Sequence, residues 1–169
     1  MKCGYLLLFL FVLFFNCSNK NIRTTSSQEK INKEVSTCNS FDNDLKVDLL
    51  VLINRIREKK GLLPLSEDKK LLEASQLHIN RIIQTKKMVH FYEKKSLMER
   101  LHQIGVNKTI IGENLARVKN QKNLAENILQ NWTNKEIEKK NLENSSFFKI
   151  GIAYNRIENE CYISILLTN

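Results

Sequence analysis

The feature that most constrains this chain lies at its end. Phe147 to Tyr154 and Cys161 to Leu167 are nearly continuous apolar runs, separated by the polar stretch Asn155 to Glu160. Such a pattern reads as a β-hairpin. Phe148, Ile150, Ile152 and Tyr154 give one strand an apolar face, yet Phe147, Gly151 and Ala153 on the opposite face are not solvent-seeking either. A sheet with both faces apolar must be covered on both sides, which calls for helices above and below it. A third strand is expected from about Thr109 to Val118, carrying Glu113.

Helical periodicity supplies the covering layers. Asp42 or Asp44 can cap a first helix striped by Leu45, Leu49, Leu52, Ile53 and Ile56 and ended by Gly61 and Pro64. Ser66 is expected to cap a second helix, with Glu67 and Asp68 in its first turn and a stripe of Leu71, Ala74, His78 and Ile82. A short third helix is expected from about Lys95 to Ile104, stopped by Gly105. A fourth runs from Asn123 to about Thr133, with Leu124, Ile128 and Trp132 on one face. The expected fold is therefore α+β, a three-layer α-β-α sandwich with a small antiparallel sheet and about four helices.

The front of the chain is of another kind. Lys2 followed by the apolar run Tyr5 to Phe15 reads as a signal peptide over residues 1–16, too short for a membrane span of about 20 apolar residues. Leu13-Phe14-Phe15-Asn16-Cys17 resembles a loose bacterial lipobox of the spirochaetal kind, which implies lipidation of Cys17. Several acyl chains hold a protein durably where a single one does so only marginally. Ser18 to Ser40 is polar and poor in large apolar residues, so residues 17–40 read as lipidated cysteine and flexible tether. Such a coil reaches on the order of 25 to 30 Å. Residues 41–169 are left for one folded domain with a single core.

The formal charge of +9 falls to +8 when Lys2 leaves with the signal. The lysines are scattered among glutamates and asparagines instead of forming a basic face with stacking aromatics, so no nucleic-acid partner is expected. Of the four cysteines, Cys3 departs with the signal and Cys17 is the lipid site. Cys38 and Cys161 remain outside the cytoplasm, as a disulfide candidate or as two unpaired buried thiols. A bridge closing so long a loop would stabilise by up to about 5 kcal/mol in the chain-entropy account.

In order, Leu52-Ile53-Asn54-x-x-Arg57, Gly61-Leu62-x-Pro64-Leu65, Met88-Val89-His90-Phe91, Arg100-Leu101, Gly105, Gly112-Glu113-Asn114, Trp132 and Gly151-Ile152-Ala153-Tyr154 punctuate residues 42 to 169. Their order and spacing resemble the cysteine-rich secretory, antigen and pathogenesis-related (CAP) superfamily in its compact bacterial form. The resemblance implies the same α-β-α sandwich. It also implies a central cleft lined by two histidines and two acidic residues, which in some members hold a divalent metal. His90 and Glu113 match the first histidine and the glutamate. Six residues after the tryptophan, where bacterial relatives carry the second histidine, stands Glu138, followed by Lys139, Lys140 and Asn141.

That replacement breaks the nitrogen pair. His90, Glu113 and Glu138 offer one imidazole and two carboxylates, a weak set that suits magnesium, calcium or manganese at least as well as zinc. No metal and no cofactor is expected. The catalytic candidates are His90, Glu113, Glu136 and Glu138, with His90 and Glu113 able to act as acid and base. No nucleophile accompanies them: a Gly-x-Ser-x-Gly elbow is absent, and Ser145 and Ser146 have no activating neighbour in sequence. The plainer role for Glu113 is to accept hydrogen bonds from backbone N–H groups or from His90. His78 reads as a core or cleft-edge histidine, His102 as a surface residue, and Trp132 as a core anchor with its indole N–H paired. Arg100 resembles the family's structural arginine, and Lys135 to Lys140 reads as a solvated loop or helix face.

The leading expectation is a lipid-anchored, extracytoplasmic protein of a double-membrane bacterium, in the outer membrane with surface exposure. Its expected role is that of a non-enzymatic binding module for a lipid, a sterol or a host or partner protein. A metal-assisted hydrolase or protease is the second reading, and a structural or immune-facing surface protein the third.

Overall fold

The computed structural model of the chain describes residues 45–91 and 95–169. The expected signal peptide, Cys17, the tether, Cys38 and the caps Asp42 and Asp44 lie outside them. Helix α1 covers residues 45–59, and β1 (Ser66–Glu67), α2 (Lys69–Thr85), α3 (Leu97–His102) and β2 (Ile111–Lys119) follow. Then come α4 (Leu124–Thr133), α5 (Glu136–Leu142), β3 (Lys149–Ile157) and β4 (Glu160–Thr168). The described residues thus hold five helices around one sheet of order β1-β3-β4-β2.

The hairpin forms the middle of that sheet. β3 and β4 pair antiparallel from Lys149↔Thr168 to Ile157↔Glu160, and β2 adds antiparallel to the other side of β4. The polar stretch Asn155 to Glu160 is mostly strand, with only Glu158 and Asn159 in the turn. Glu158 takes the left-handed conformation (φ 54°) that lets so tight a connection follow the twist of the strands.

Residues paired across strands share a face, so register sorts the side chains into two layers. On one face Ile150, Ile152 and Tyr154 lie beside Cys161, Ile163, Ile165 and Leu167. They pack with Leu45, Leu49 and Ile53 of α1, with Ile128 and Trp132 of α4, and with Leu142 of α5. On the other face Gly151, Ala153 and Leu166 meet Leu71, Ala74, Ile79 and Ile82 of α2 and Leu101 of α3. Helices therefore cover both faces, giving the three-layer α-β-α sandwich. Gly151 is what lets α2 settle: a Cβ there would stand 2.1 Å from the Leu71 carbonyl carbon. Ser75 Oγ also donates to the Gly151 carbonyl at 3.1 Å.

Three expectations change in detail. Ser66 and Glu67 do not open α2; they form β1, parallel to β3, because Ser66 N and Asp68 N donate to Phe148 O and Ile150 O. Asp68 is the cap, its carboxylate accepting from Leu71 N at 3.0 Å. The sheet is consequently mixed instead of purely antiparallel. The run Lys135 to Lys140 also contributes to a fifth helix, α5, which buries Leu142. Cys161 is buried in the core of β4.

Arg57 closes the structure around the end of α1. Fully buried, it donates from Nε to Leu63 O and from its terminal nitrogens to Leu142 O, Asn144 O and Phe147 O, all within 2.9 to 3.0 Å. One guanidinium thus joins the loop after α1 to the end of α5 and the loop that follows it. Replacing it by leucine takes the side-chain donor from all four, leaving Asn144 O the Phe147 N–H at 3.3 Å, and each acceptor buried without a donor costs about 1–3 kcal/mol. Arg57→Leu is therefore expected to cost at least about 3 kcal/mol in urea unfolding. A loss below about 1 kcal/mol would contradict this assignment.

Candidate functional site: a buried carboxylate between two histidines and an arginine

The triplet Gly112-Glu113-Asn114 sits at the start of β2, where alternation sends its neighbours to opposite layers. Gly112 faces the α4/α5 side, and a Cβ there would approach the Phe147 ring at 2.9 Å and Asn141 Oδ1 at 3.0 Å. Asn114 faces the same way. It donates to Glu138 O at 3.0 Å and accepts from Asn141 Nδ2 at 2.8 Å, tying α5 to the sheet. Trp132 ties α4 in the same manner, its indole N–H donating to Leu115 O at 3.1 Å.

Glu113, paired with Leu166, points to the α2/α3 side. Its side chain is 1% exposed. Oε1 accepts from Arg100 Nη2 at 2.8 Å, and Oε2 from His90 Nδ1 at 2.9 Å, with His78 Nε2 at 3.8 Å from the same oxygen. Arg100 also donates to His90 O at 2.9 Å, and His78 Nε2 donates to Val89 O at 2.9 Å. The Val89-His90 segment is therefore held by the side chains of His78 and Arg100 and by its own imidazole.

The histidines differ in environment. His90 is about half exposed, and its pKa is raised chiefly by the hydrogen bond to Glu113, with smaller electrostatic contributions from Glu113 and Glu138. His78 is buried, and desolvation lowers its pKa, more than the charge of Glu113 restores. Because a carbonyl only accepts, the Val89 contact fixes the neutral His78 ring with its proton on Nε2. Nδ1 is then a bare acceptor.

The structure gathers His90 and Glu113 as their family positions imply and adds His78 and Arg100 to them. Glu138 is anchored through its backbone, and its carboxylate lies 3.5 Å from Lys135 Nζ. Glu136 is 79% exposed and pairs with Lys140 at 2.7 Å. A divalent ion does not fit this donor set, because the inner oxygen of Glu113 is already occupied by the Arg100 cation. Among the described residues no three His, Cys, Asp or Glu side chains are grouped to hold a metal. Ser145 and Ser146 are not among the hydrogen-bond partners of this cluster; Ser146 N is bonded to Asn144 Oδ1. The part of His78 was less visible in sequence than that of His90, though its place on the buried stripe of α2 was the available signal.

The two imidazoles make opposite contributions to acid stability. His90 binds its proton more tightly when folded, so its contribution is complete below about pH 6.5 and fades as pH rises through the higher folded value. His78 stabilises fully above about pH 6.5, and its contribution is lost on acidification. The stability difference between wild type and His90→Ala, in which His78 cancels, is expected to be larger near about pH 5.5 than near about pH 8.5. Urea midpoints across that range measure it, and a difference that grows with pH would contradict the pairing.

The Cysteine-rich secretory protein (CAP) family profile matches residues 50–168. Among solved structures, the fold is similar to an outer surface protein from Borrelia burgdorferi, with a TM-score of 0.68 and 21% identity over 75% of this chain and 92% of that one. It is also similar to an extracellular protein containing a SCP domain from Bacillus anthracis, with a TM-score of 0.63 and 24% identity over 76% of this chain and 41% of that one. A cysteine-rich secretory protein from Staphylococcus aureus matches with a TM-score of 0.61 and 19% identity, over 76% of this chain and 39% of that one. The chain thus spans about two fifths of the latter two proteins. No curated protein matches the sequence significantly. With the profile matched over well above half of its length, the chain belongs to the cysteine-rich secretory protein (CAP) family.

Proposed function

We propose that this protein is a lipid-anchored, extracytoplasmic CAP-domain module that binds a ligand without turning it over. The observation that carries the reading is the state of Glu113: Arg100 occupies one oxygen and His90 the other. A carboxylate bonded through both oxygens and only 1% exposed orients a loop and presents no open oxygen to a substrate or a metal. Glu138, standing where bacterial relatives carry a second cleft histidine, supplies no imidazole.

Anchoring is supported by the N-terminal sequence, in which Cys17 follows directly on an apolar segment. No described helix is long and apolar enough to cross a membrane. The outer-surface and extracellular proteins whose fold this chain shares are consistent with a place outside the cytoplasm. The membrane is then a partner through the acyl anchor, with the outer leaflet of the outer membrane as the site of display.

One observation favours a second reading, acid-base catalysis. The half-exposed His90 ring gives its Nδ1 to a buried carboxylate and keeps its other nitrogen outside that bond, an arrangement suited to a general base. Purified protein is expected to contain no stoichiometric metal and to show no peptidase or esterase activity above that of His90→Ala. Activity lost in that variant, with the fold intact, would overturn the binding reading. Cells grown with labelled palmitate are expected to label the wild type and not Cys17→Ala, and equal labelling would overturn the anchor.

A further inference from the structure

Val89 to Phe91 are tied across the α2/α3 face by side chains. Among the described residues, no backbone–backbone hydrogen bond to another element reaches Lys87 to Phe91. Instead His78 Nε2 donates to Val89 O, Arg100 Nη2 donates to His90 O and His90 Nδ1 meets Glu113 Oε2, each at 2.9 Å. Met88 packs against Ile79, Ile82 and Leu115, while Phe91 stands 65% exposed. The segment leaves α2 through Lys86, whose left-handed conformation (φ 55°) a residue with a Cβ holds only under strain.

Two of the three ties are imidazoles, and acid acts on them differently. His90 offers its Nδ1 to a carboxylate, so protonation strengthens that bond. His78 has already given its one ring proton to Val89 O, and its buried Nδ1 has no partner among the described residues. A further proton on Nδ1 therefore makes a charged N–H without an acceptor, in a place closed to water. The charges around it add to the cost: Glu113 on β2 is the one carboxylate close by, and it already faces Arg100 on α3 and His90 in the segment. On α2 itself Arg81 follows one turn later, Lys86 and Lys87 open the segment, and Glu138 of α5 acts on His90. β3 and β4 present apolar Ala153 and Leu166 to this face. Desolvation, with the Arg100 and His90 charges, accordingly keeps the pKa of His78 low in spite of Glu113.

We propose that Val89 to Phe91 form an acid-released latch over His78 and Glu113, closed while His78 is neutral and opened by proton uptake at His78 Nδ1. Of the elements that enclose the ring, this segment is the one that yields: α2 is fixed by Leu71, Ile79 and Ile82 in the core, and α3 by Leu101. Opening gives the imidazolium water and uncovers the Glu113 carboxylate. The device is independent of what the module binds.

The test is a pH titration of the intact protein by NMR, following the amides of Val89, His90 and Phe91, the His78 ring and the indole N–H of Trp132. Trp132 lies in the opposite layer, bonded to Leu115 O, and reports the global fold. As pH falls, the three amides are expected to move to unstructured positions together with the His78 ring, at a midpoint below about pH 6.5, while the indole signal is unchanged. His78→Gln can still donate to Val89 O but takes up no proton; its latch is expected to open at least about one pH unit lower. Opening of the variant at the wild-type pH overturns the proposal. So do wild-type amides that follow His90 instead of His78, or that hold until the indole signal itself is lost. The wild-type comparison decides by itself if the variant does not fold.

Discussion

A carboxylate taken out of water needs a counter-charge and filled lone pairs, or it is expelled from the interior. Glu113 meets that demand with Arg100 on one oxygen and His90 on the other. Much of the local structure follows. Arg100 must lie on a helix that reaches over the sheet, which places α3. The loop after α2 must bring His90 back across the same face, and the carbonyls it exposes there are answered by His78 and Arg100. Removing the carboxylate would leave a largely buried cation and two imidazoles without a common partner, so its role is architectural before it is chemical.

The same logic runs through the opposite layer. Arg57, Asn114, Asn141 and Trp132 all donate to main-chain carbonyls of loops, helices or strands. Each closes a contact that regular backbone pairing does not make, and each does so from a residue on a neighbouring element. The result is a sheet gripped on both sides by a few side chains, with the histidines and their carboxylate confined to the α2/α3 face. The cluster is preorganised, with Arg100 and His90 both engaged by Glu113. In the packed interior beside it, His78 Nδ1 and Arg100 Nε have no hydrogen-bond partner among the described residues.

Much of this was legible in the sequence, for identifiable reasons. The doubly apolar hairpin announced a covered sheet, and the stripes of α1, α2 and α4 announced what covers it. His90 and Glu113 were readable as a pair only through resemblance, since 23 positions separate them. Three things escaped. Ser66 and Asp68 are both good helix caps, and the choice between them was made by β3, whose carbonyls recruit the N–H groups of Ser66 and Asp68 into a parallel pair. Helix α5 arises in a run of alternating charge with little apolar content; it is held by Leu142 and by the Asn114 bond to Glu138 O, both tertiary effects. For His78 the stripe of α2 gave a core or cleft-edge position, but periodicity reports burial and not which groups the ring touches, so its place beside Glu113 escaped.

Whether Glu113 sets the protonation of His90, and burial that of His78, can be read by long-range proton–nitrogen NMR of the histidine side chains in the intact protein. A neutral His78, protonated on Nε2 throughout the neutral range, is expected. His90 is expected to bear its proton on Nδ1 and to titrate above an ordinary histidine, both properties disappearing in Glu113→Gln. A His90 whose titration is unaffected by Glu113→Gln would contradict the role assigned to Glu113, and a His78 that titrates as a solvent-exposed imidazole does would contradict its burial.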